Sequence, residues 1–551
     1  MTAALQSQAQ SLLARARGQF DAAVRRVAVL CSVAGQLDAQ RLDEHQGPCY
    51  ELALAAAELL AAETTLAQAS GELDTALALA FAADALVAVA ARLESVALDT
   101  GLDADEMHAL TTGPELAALR KAAAGSRVLA ELGQAVADAR GEVGAVRLDE
   151  ATTMAQQSFQ RFAAEVVAPL AEKIHRHDLT VPEALLQPMR EMGVFGLAIP
   201  ERFGGNAPGE GEDTLLMLAV TEALSEASLA AAGSLITRPE ILARALLAGG
   251  TQAQKDAWLP KIATGQPLCA IAITEPDFGS DVASLALKAR PVPGGWRLSG
   301  AKTWCTFAGK AGLLMVVART DPDRGAGHRG LSIFLVEKPS FDGHEFAFEQ
   351  PEEGGQSGRL QGRAIPTIGY RGMHSFDLSF DELFVPESNL IGGEAGLGKG
   401  FYFTMAGMTG GRMQTAARAS GVMRAALKAA VQYAQDRKVF DAPLADYALT
   451  RIKLARMAAR AAACRQLAYA VGRLMDAGGG RMEASLVKLL ACRSAELVTR
   501  EAMQIHGGMG YAEETPVSRY FVDARVLSIF EGAEETLALK VVARSLLEAA
   551  L

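Results

Sequence analysis

The sequence predicts a mainly α-helical protein with a β domain in its middle, and three observations lead to this prediction. Alanine- and leucine-rich segments with helical spacing fill residues 1 to about 145, and similar segments return from about residue 398. A second helical region runs from about residue 148. From about residue 269, β-branched runs alternate with turns, which is typical of a mostly antiparallel sheet. We therefore predict an N-terminal helical extension (1–147), a helical domain (148–268), a β domain (269–393) and a C-terminal helical bundle (394–551).

Individual elements can be predicted within the last three parts. The expected helices are Ala151–His175, Pro182–Met192, Asp213–Ala232, Pro239–Ala248, Met405–Asp436, Asp446–Ala477, Glu483–His506 and Glu534–Ala550. The expected strands are Trp296–Ser299, Leu313–Ala318, Leu331–Val336 and Asp377–Phe380.

Composition limits the class of protein. The chain has 551 residues, 50% of them hydrophobic, and a formal net charge of −11, so we expect a globular protein that does not bind nucleic acid. The most apolar run, Ala76–Ala91, is short and contains Asp84, which indicates a buried helix and no membrane span. The N-terminus lacks the pattern of a signal peptide, and although a transit peptide stays open, we favour a mature N-terminus.

Cysteines and histidines show no spacing typical of a metal site. The six cysteines are scattered without a C-x-x-C pair, which fits a reducing, cytoplasmic setting and no disulfide framework. The eight histidines include no H-E-x-x-H, and His175 and His177 are interpreted as surface residues. We therefore predict no metal.

A turn near the C-terminus carries the candidate catalytic group. In Ile529-Phe530-Glu531-Gly532, apolar residues lead into one carboxylate, and Gly532 allows a sharp turn before a helix that begins near Glu534. Desolvation by apolar neighbours would raise the pKa of a carboxylate toward the range of a general base. A solvated surface glutamate is the alternative on this stretch alone.

Three further stretches suit the binding of a large anionic, aromatic ligand. Thr274–Asp281 is a loop that ends in Gly-Ser-Asp and can offer backbone N–H groups and a hydroxyl to an anion. Trp304 and Thr306 are two apart, so on a strand they share a face. Gln504–Tyr511 is a glycine-rich bend after a helix, where backbone can approach a ligand closely. Each signal is weak when taken alone.

Together these stretches resemble the acyl-CoA dehydrogenase family from about Leu148 to Leu551. The motifs T-E-P-x-x-G-S-D, G-x-K-x-W-x-T, Q-x-x-G-G-x-G-Y and I-F-E-G occur in family order, and Asp436–Phe440 also matches. The resemblance implies the family's fold, which has a helical domain, a β domain and a C-terminal four-helix bundle. It also implies FAD as cofactor, an acyl-CoA substrate and an electron-transferring flavoprotein as acceptor.

The resemblance also implies roles for single residues. The FAD contacts expected from one subunit are Ile271, Thr274, Ser280, Trp304 and Thr306, and those expected from a neighbouring subunit are Arg437, Phe440, Gln504 and Gly508. The substrate contacts expected are Ser280, Arg238, Arg412 and Gly532. Glu531 matches the catalytic base that removes the α-proton, while the β-hydride passes to flavin N5. The other position that the family uses for a base is Gly411 here, so Glu531 has no competitor.

The chain departs from the family pattern in a few places. Ala533 stands where threonine often follows the catalytic Glu-Gly, and Asp441 and Ala442 stand where glycine and lysine follow the phenylalanine. Ala448 replaces a common glutamine. These changes bring the contacts between subunits into question and leave the chemistry intact.

The N-terminal extension indicates which oligomer and which substrate to expect. Larger family members cover their tetramer surface with an added helical domain, so we expect a homodimer. An extension of this length, with Ile368–Ser375 and Thr237–Glu240, also resembles the branch of the family that oxidises (2S)-methylsuccinyl-CoA to mesaconyl-CoA. A second carboxylate needs a cation or several hydrogen-bond donors in the acyl pocket, and Arg238 is the candidate cation. The alternative is that Arg238 only caps a helix or forms a pair on the surface.

Three other functions stay open at this point. The enzyme could act on another short or branched acyl-CoA, or be an acyl-CoA oxidase that reduces oxygen. A non-catalytic helical assembly protein is the alternative from another class, although Glu531, Trp304 and Thr306 together argue against it.

Overall fold

The N-terminal extension is helical in the computed structural model, which describes residues 2–103, 105–208, 213–351 and 357–551. Its helices are α1 (Thr2–Leu30), α2 (Ala39–Glu44), α3 (Gln46–Gln68), α4 (Glu72–Thr100), α5 (Asp105–Thr112), α6 (Pro114–Ala123) and α7 (Ser126–Asp138). A short hairpin of β1 (Ser32–Val33) and β2 (Gln36–Leu37) joins α1 to α2. The prediction of a helical extension is confirmed.

Helix α4 is the longest apolar segment of the extension. By length and composition it could cross a membrane, yet 67% of its most apolar window is buried inside the protein. It packs between α1 and α3. This agrees with the interpretation of Ala76–Ala91 as a core helix.

The second helical region contains helices at the four predicted places and one further helix, Gln252–Ala263, that the sequence analysis did not predict. Its helices are α8 (Glu150–Phe162), α9 (Ala168–Arg176), α10 (Glu183–Glu191), α11 (Thr214–Ala227), α12 (Thr237–Gly249) and α13 (Gln252–Ala263). The predicted helix Asp213–Ala232 is interrupted at Ser228, which is extended and accepts a hydrogen bond on its hydroxyl from the Ala231 N–H. A serine side chain competes with the helix for backbone groups in this way.

One residue of α9 contradicts its predicted environment. His177 is exposed, as predicted, but His175 is buried. His175 lies beside Ile174 on the inward side of the helix. The two histidines point in different directions because residues two apart on a helix do not share a face.

The middle of the chain forms one sheet. Its strands are β3 (Cys269–Ala272), β4 (Lys288–Val292), β5 (Gly295–Thr306), β6 (Leu313–Arg319), β7 (Leu331–Glu337), β8 (Glu345–Glu349), β9 (Arg359–Ala364) and β10 (Ser375–Pro386). The strand order is β3-β6-β4-β5-β10-β9-β8, and β7 pairs with β6. Most pairs are antiparallel, as predicted, but β6 runs parallel to β3 and β4.

Strand β6 is buried on both faces and holds the sheet to the neighbouring helices. Leu314 and Val316 belong to the apolar core on one face, and Met315 and Val317 pack with α12 and α13 on the other. A strand buried on both faces reads as a continuous apolar run, as this one does. The centre of the sheet is therefore well packed, and the neighbouring strands β3 and β5 carry residues that are expected to contact FAD.

The C-terminal part is helical. It contains α14 (Gly400–Asp436), a hairpin of β11 (Lys438–Val439) and β12 (Ala442–Pro443), α15 (Ala448–Asp476), α16 (Arg481–Ile505), α17 (Gly508–Tyr511), α18 (Pro516–Arg525), α19 (Glu534–Thr536) and α20 (Arg544–Ala550). A π-helical segment, Leu537–Ala543, links α19 to α20. The predicted fold class, mainly α with a β domain, is confirmed.

The chain forms two compact units. The first, here called the bundle unit, contains residues 1–154 and 415–551, and the second, the sheet unit, contains residues 155–414. The extension and the C-terminal helices thus share one unit. The predicted boundaries near residues 148, 269 and 394 stay predictions.

Within the bundle unit, the extension packs closely on α15. A Cβ atom at Gly133 of α7 would lie 1.9 Å from the Arg451 carbonyl oxygen, so only glycine permits this approach. Asp74 accepts hydrogen bonds from the Gly144 and Ala145 N–H groups, both at 2.8 Å. Arg465 donates to the Gly144 carbonyl at 2.8 Å. The end of the extension is therefore fixed by polar contacts as well as by apolar packing.

Candidate active site

The Glu531 turn has an unusual backbone. Glu531 has φ +54°, the left-handed region that side chains with a Cβ rarely adopt, and Gly532 follows with φ +97°. A non-glycine residue in such a region costs on the order of 1–3 kcal/mol and persists only where its surroundings hold it. Helix α19 begins two residues later at Glu534. The predicted sharp turn is present, and Glu531 shares it with the glycine.

A buried lysine holds this turn. Lys488 of α16 is 1% exposed, and its ammonium donates to the Phe530 carbonyl at 2.7 Å and to the Gly532 carbonyl at 2.5 Å. The two carbonyls lie on either side of Glu531. Because charged donors form stronger hydrogen bonds than neutral ones, Lys488 offsets part of the backbone strain.

The Glu531 carboxylate points into the bundle unit, where it contacts a cation. Its side chain is 10% exposed, and its Oε2 lies 2.5 Å from Nη2 of the fully buried Arg418. The Thr415 hydroxyl donates to the same oxygen. Arg418 also donates to Thr415 at 2.8 Å, and its guanidinium lies 4.8 Å from the centre of the Phe530 ring. The setting is thus dry and contains a buried cation, whereas the sequence neighbours indicate apolar contacts only.

This arrangement suits a proton acceptor. An adjacent guanidinium favours the ionised form of a carboxylate, which is the form that takes a proton. It also opposes the effect of desolvation that the sequence predicts, so it makes the carboxylate a weaker base than apolar neighbours alone would. A buried ion pair is also fixed in position, because either partner left alone would be an uncompensated charge. Among the described neighbours, Cys492 is no rival nucleophile, since burial raises the pKa of its thiol to about 12.

In the sheet unit, Trp304 is turned outward by a bulge. The register between β5 and β10 shifts around Trp304, which has φ +57°. Thr303 is buried and donates to Asp377, whereas the Trp304 side chain is 54% exposed. Bulges next to functional sites commonly redirect a side chain in this way. Thr306 lies two residues on, half-buried, and its hydroxyl is 2.9 Å from that of Ser375.

The Thr274–Asp281 loop is attached to this strand. The Thr303 N–H donates to the Thr274 carbonyl at 2.9 Å. The fully buried Lys302 pairs with Glu275 at 2.8 Å, and Glu275 also accepts from the Ala286 and Leu287 N–H groups. Burial lowers the pKa of Lys302. Lys302 and Glu275 are therefore buried, and their ion pair joins the loop to strand β5.

The five residues expected to contact FAD in the sheet unit lie on an accessible surface. Ser280 and Trp304 are exposed, and Ile271, Thr274 and Thr306 are half-buried. Their immediate neighbours Ala272, Glu275 and Cys305 are buried. This surface offers an outward indole, two threonine hydroxyls and an open Gly-Ser loop, which fits a flat aromatic ring with attached phosphates.

The four residues expected to contact FAD in the bundle unit are also accessible. Phe440 is 94% exposed with φ +49°, and Arg437, Gln504 and Gly508 are exposed as well. A Cβ at Gly508 would meet nothing within 4 Å. The stacked rings of Tyr433 and His506, 4.2 Å apart, join the helix ends that carry these residues. Their contact with a neighbouring subunit's flavin stays a prediction.

The two candidate substrate arginines have different surroundings, both in the sheet unit. Arg238 is buried, and it donates to the Ser234 carbonyl at 2.7 Å and to the Tyr370 hydroxyl at 3.1 Å. No carboxylate of the described chain lies within ion-pair distance of it. Arg412 is half-buried, and burial lowers the pKa of its guanidinium. The role of Arg412 toward CoA phosphates stays a prediction.

Sequence reasoning missed the residues that hold Glu531. Arg418 and Thr415 lie in the alanine-rich run Thr415–Ser420, and Lys488 lies in the apolar stretch of α16. A single charged residue within an otherwise apolar helix face is the signal that could have identified Arg418 and Lys488, because such charges are buried only with a partner.

Comparison with known proteins agrees with this geometry. Residues 149–266 match the family description "Acyl-CoA dehydrogenase, N-terminal domain", residues 270–383 the middle domain and residues 398–547 the C-terminal domain. A curated relative, (2S)-methylsuccinyl-CoA dehydrogenase of Cereibacter sphaeroides, is 43% identical over 411 residues, which are 74% of this chain and 72% of the relative.

Two solved structures share the fold. One carries the description "Electron transferring flavoprotein of Acidaminococcus fermentans" (29% identity, TM-score 0.65, 73% of this chain and 98% of that chain). The other is a glutaryl-CoA dehydrogenase from Mycobacterium smegmatis in complex with FADH2 (26% identity, TM-score 0.62, 72% of this chain and 95% of that chain).

The three matched domains cover most of the chain, the residues expected to contact FAD lie on accessible surfaces, and Glu531 lies in a strained turn. The chain belongs to the acyl-CoA dehydrogenase family, whose members are FAD-dependent oxidoreductases acting on acyl-CoA thioesters.

Proposed function

We propose that this enzyme oxidises (2S)-methylsuccinyl-CoA to mesaconyl-CoA, with Glu531 as the base that removes the α-proton. The observation that carries the mechanism is the buried, ion-paired carboxylate of Glu531 on a strained turn held by Lys488. The choice of substrate is supported by the 43% identical relative of that name. Any other short or branched acyl-CoA is the alternative.

The reaction requires a proton and a hydride to leave neighbouring carbons. The α-proton of a thioester is a poor acid, so donors to the thioester carbonyl must stabilise the negative charge that develops there. The backbone N–H of Glu531, in its left-handed turn, is the proposed protein donor. Glu531 takes the α-proton, and a positioned base contributes roughly 10²–10⁴-fold. FAD, when bound, supplies the acceptor for the hydride from the β-carbon.

For that step one carboxylate oxygen of Glu531 must reach the substrate while the other stays paired with Arg418. Its Oε2 is already engaged by Arg418 and Thr415. A rotation of the carboxylate that brings Oε1 to the substrate would keep the ion pair intact. Arg418 is therefore a positioning residue in this proposal, and Glu531 is the catalytic residue.

Arg238 is the proposed cation for the distal carboxylate of the substrate. The buried guanidinium of Arg238 has neutral oxygen atoms as its hydrogen-bond partners, so its positive charge is not compensated. A carboxylate of the substrate would supply the missing negative charge. Arginine also suits a carboxylate geometrically, because its planar fork can donate two parallel hydrogen bonds. The Tyr370 hydroxyl orients one of these nitrogen atoms.

We further propose a homodimer in the cytoplasm that passes electrons to an electron-transferring flavoprotein. The extension covers α15 through Gly133 and the contacts of Gly144, so this face of the bundle is not available to another copy. The exposed Phe440 is suited to contact a second subunit. Use of oxygen as acceptor is the rival reading for the redox partner.

The variant Glu531→Gln tests the base. We expect it to retain FAD and to bind acyl-CoA, but methylsuccinyl-CoA should no longer bleach the flavin absorbance, with the rate falling by about 10²-fold or more. Glu535→Gln, an exposed neighbour three residues beyond the turn glycine, is the matched control and should bleach at the wild-type rate. Wild-type bleaching by Glu531→Gln would rule out the assignment.

The variants Arg238→Lys and Tyr370→Phe test the reading of the carboxylate. The comparison is between methylsuccinyl-CoA and 2-methylbutyryl-CoA, in which a methyl group replaces the carboxylate. Hydrogen bonds to charged groups contribute about 1.5–3 kcal/mol, so Arg238→Lys should reduce kcat/KM for methylsuccinyl-CoA about 10–100-fold more than for the uncharged thioester. Tyr370→Phe should shift the same ratio less. Equal losses on both substrates would show that Arg238 does not bind the carboxylate.

The electron acceptor is tested by two parallel assays on the reduced enzyme. We expect rapid reduction of an added electron-transferring flavoprotein and little hydrogen peroxide in air. Stoichiometric peroxide, with no acceleration by the flavoprotein, would identify an oxidase instead.

Light scattering on the full chain tests the assembly. The expected mass is that of two 57.8 kDa chains. In Gly133→Leu the extension cannot pack on the Arg451 backbone, so α15 becomes exposed and larger assemblies should form. A tetramer of the unaltered chain would contradict the proposed role of the extension.

A further inference from the structure

Three side chains that are distant in sequence meet at one edge of the sheet unit. Asp178 follows the end of α9, His344 directly precedes β8, and His374 directly precedes β10. One ligand atom from each residue lies within 4.8 Å of the other two. None of these residues has a role in the proposed reaction.

The distances within this cluster match the coordination shell of a small cation. The Nε2 atoms of His344 and His374 are 3.1 Å apart, and Nε2 of His374 is 2.9 Å from Oδ1 of Asp178. Oδ2 of Asp178 lies 3.8 Å from Nε2 of His344. Bonds of about 2.0–2.1 Å to a tetrahedral Zn²⁺ place two ligand atoms roughly 3.3 Å apart. The observed spacings lie on both sides of this value.

Protons alone satisfy the cluster poorly. Nε2 of His344 also lies 2.9 Å from the Asp178 carbonyl oxygen. If both imidazoles carry their proton on Nε2 and donate to oxygens of Asp178, the two N–H groups face each other at 3.1 Å. If one imidazole lacks a proton on Nε2, its contact with an oxygen of Asp178 joins two acceptors and is not a hydrogen bond. A cation removes this conflict, because every converging atom can then offer a lone pair.

The cluster is exposed on one side, so an ion can reach it from solvent. The His374 side chain is 4% exposed and held in place, while those of Asp178 and His344 are 43% and 45% exposed. The Arg371 guanidinium, 3.7 Å from Oδ1 of Asp178, opposes a cation and limits its affinity.

We propose that Asp178, His344 and His374 bind a divalent transition metal ion, with Zn²⁺ as the best fit. Two imidazoles and one carboxylate would be the protein ligands, and water would complete the shell on the exposed side. Borderline nitrogen and oxygen donors of this kind suit Zn²⁺ better than Mg²⁺ or Ca²⁺, which take oxygen ligands. This proposal differs from the sequence prediction of no metal, because the three residues are separated by 166 and 30 positions and show no local spacing pattern.

The ion would hold together three segments of the sheet unit, close to residues that are expected to contact FAD and substrate. His374 lies beside Ser375, whose hydroxyl contacts Thr306, and four residues after Tyr370, which contacts Arg238. The Phe307 N–H donates to the carbonyls of Met373 and His374. Tying His374 to Asp178 and His344 would thus hold the segment that supports two candidate site residues.

Zinc binding by the untagged, FAD-loaded full chain tests this proposal. After treatment with a chelator, calorimetric titration with Zn²⁺ should show about one ion per chain, and added Zn²⁺ should raise Tm. Loss of a residue that hydrogen-bonds a metal ligand typically weakens metal binding roughly 10–100-fold, and loss of a ligand itself should weaken it at least as much. His344→Ala and Asp178→Asn should therefore show neither Zn²⁺ binding in the titration nor a rise in Tm.

His177→Ala is the matched control, because this exposed histidine precedes Asp178 and lies outside the cluster. It should bind Zn²⁺ as the unaltered chain does. Unchanged flavin absorbance and circular dichroism would show that the variants are folded. If the unaltered chain takes up no more Zn²⁺ than folded His344→Ala, the cluster is a hydrogen-bonded histidine pair and the proposal is overturned.

Discussion

The ion pair between Arg418 and Glu531 is the interaction on which the candidate active site depends. Arg418 is fully buried in the bundle unit, and its charge requires an anion nearby. Glu531 supplies that anion from a turn whose carbonyls are held by Lys488. Breaking a buried pair by removing one partner costs about 3–5 kcal/mol, which exceeds the strain of the left-handed turn. Arg418 on α14 and Lys488 on α16 thus determine where the Glu531 carboxylate lies.

A similar principle operates in the sheet unit. The buried pair of Lys302 and Glu275 joins the Thr274–Asp281 loop to β5, and the bulge beside it directs Trp304 outward. In both units a buried charged side chain holds the backbone in place, and a nearby residue with positive φ carries the candidate functional side chain. Strain at functional positions of this kind persists because the surrounding structure overdetermines it.

Sequence could predict most of the fold but only part of the site. The periodicity of apolar residues predicted the long helices and the sheet. The order of the motifs that contain Glu531, Trp304 and Thr306 indicated the family. Both signals are local along the chain, so they can be read without knowing the fold. The partners of Glu531 were not predictable in this way, since Arg418 and Lys488 meet it only after folding. The same holds for the burial of His175 and for the cluster of Asp178, His344 and His374, which depend on contacts between distant segments.

The most direct measurement of the central claim separates proton removal from hydride transfer. An acyl-CoA analogue with sulfur in place of the β-carbon can lose its α-proton but cannot donate a hydride. With the unaltered enzyme, the resulting anion beside oxidised flavin should give a long-wavelength charge-transfer absorbance. The account predicts that Glu531→Gln binds the analogue without this band. A band of full intensity in that variant would show that another group takes the proton, and would contradict the role given to Glu531.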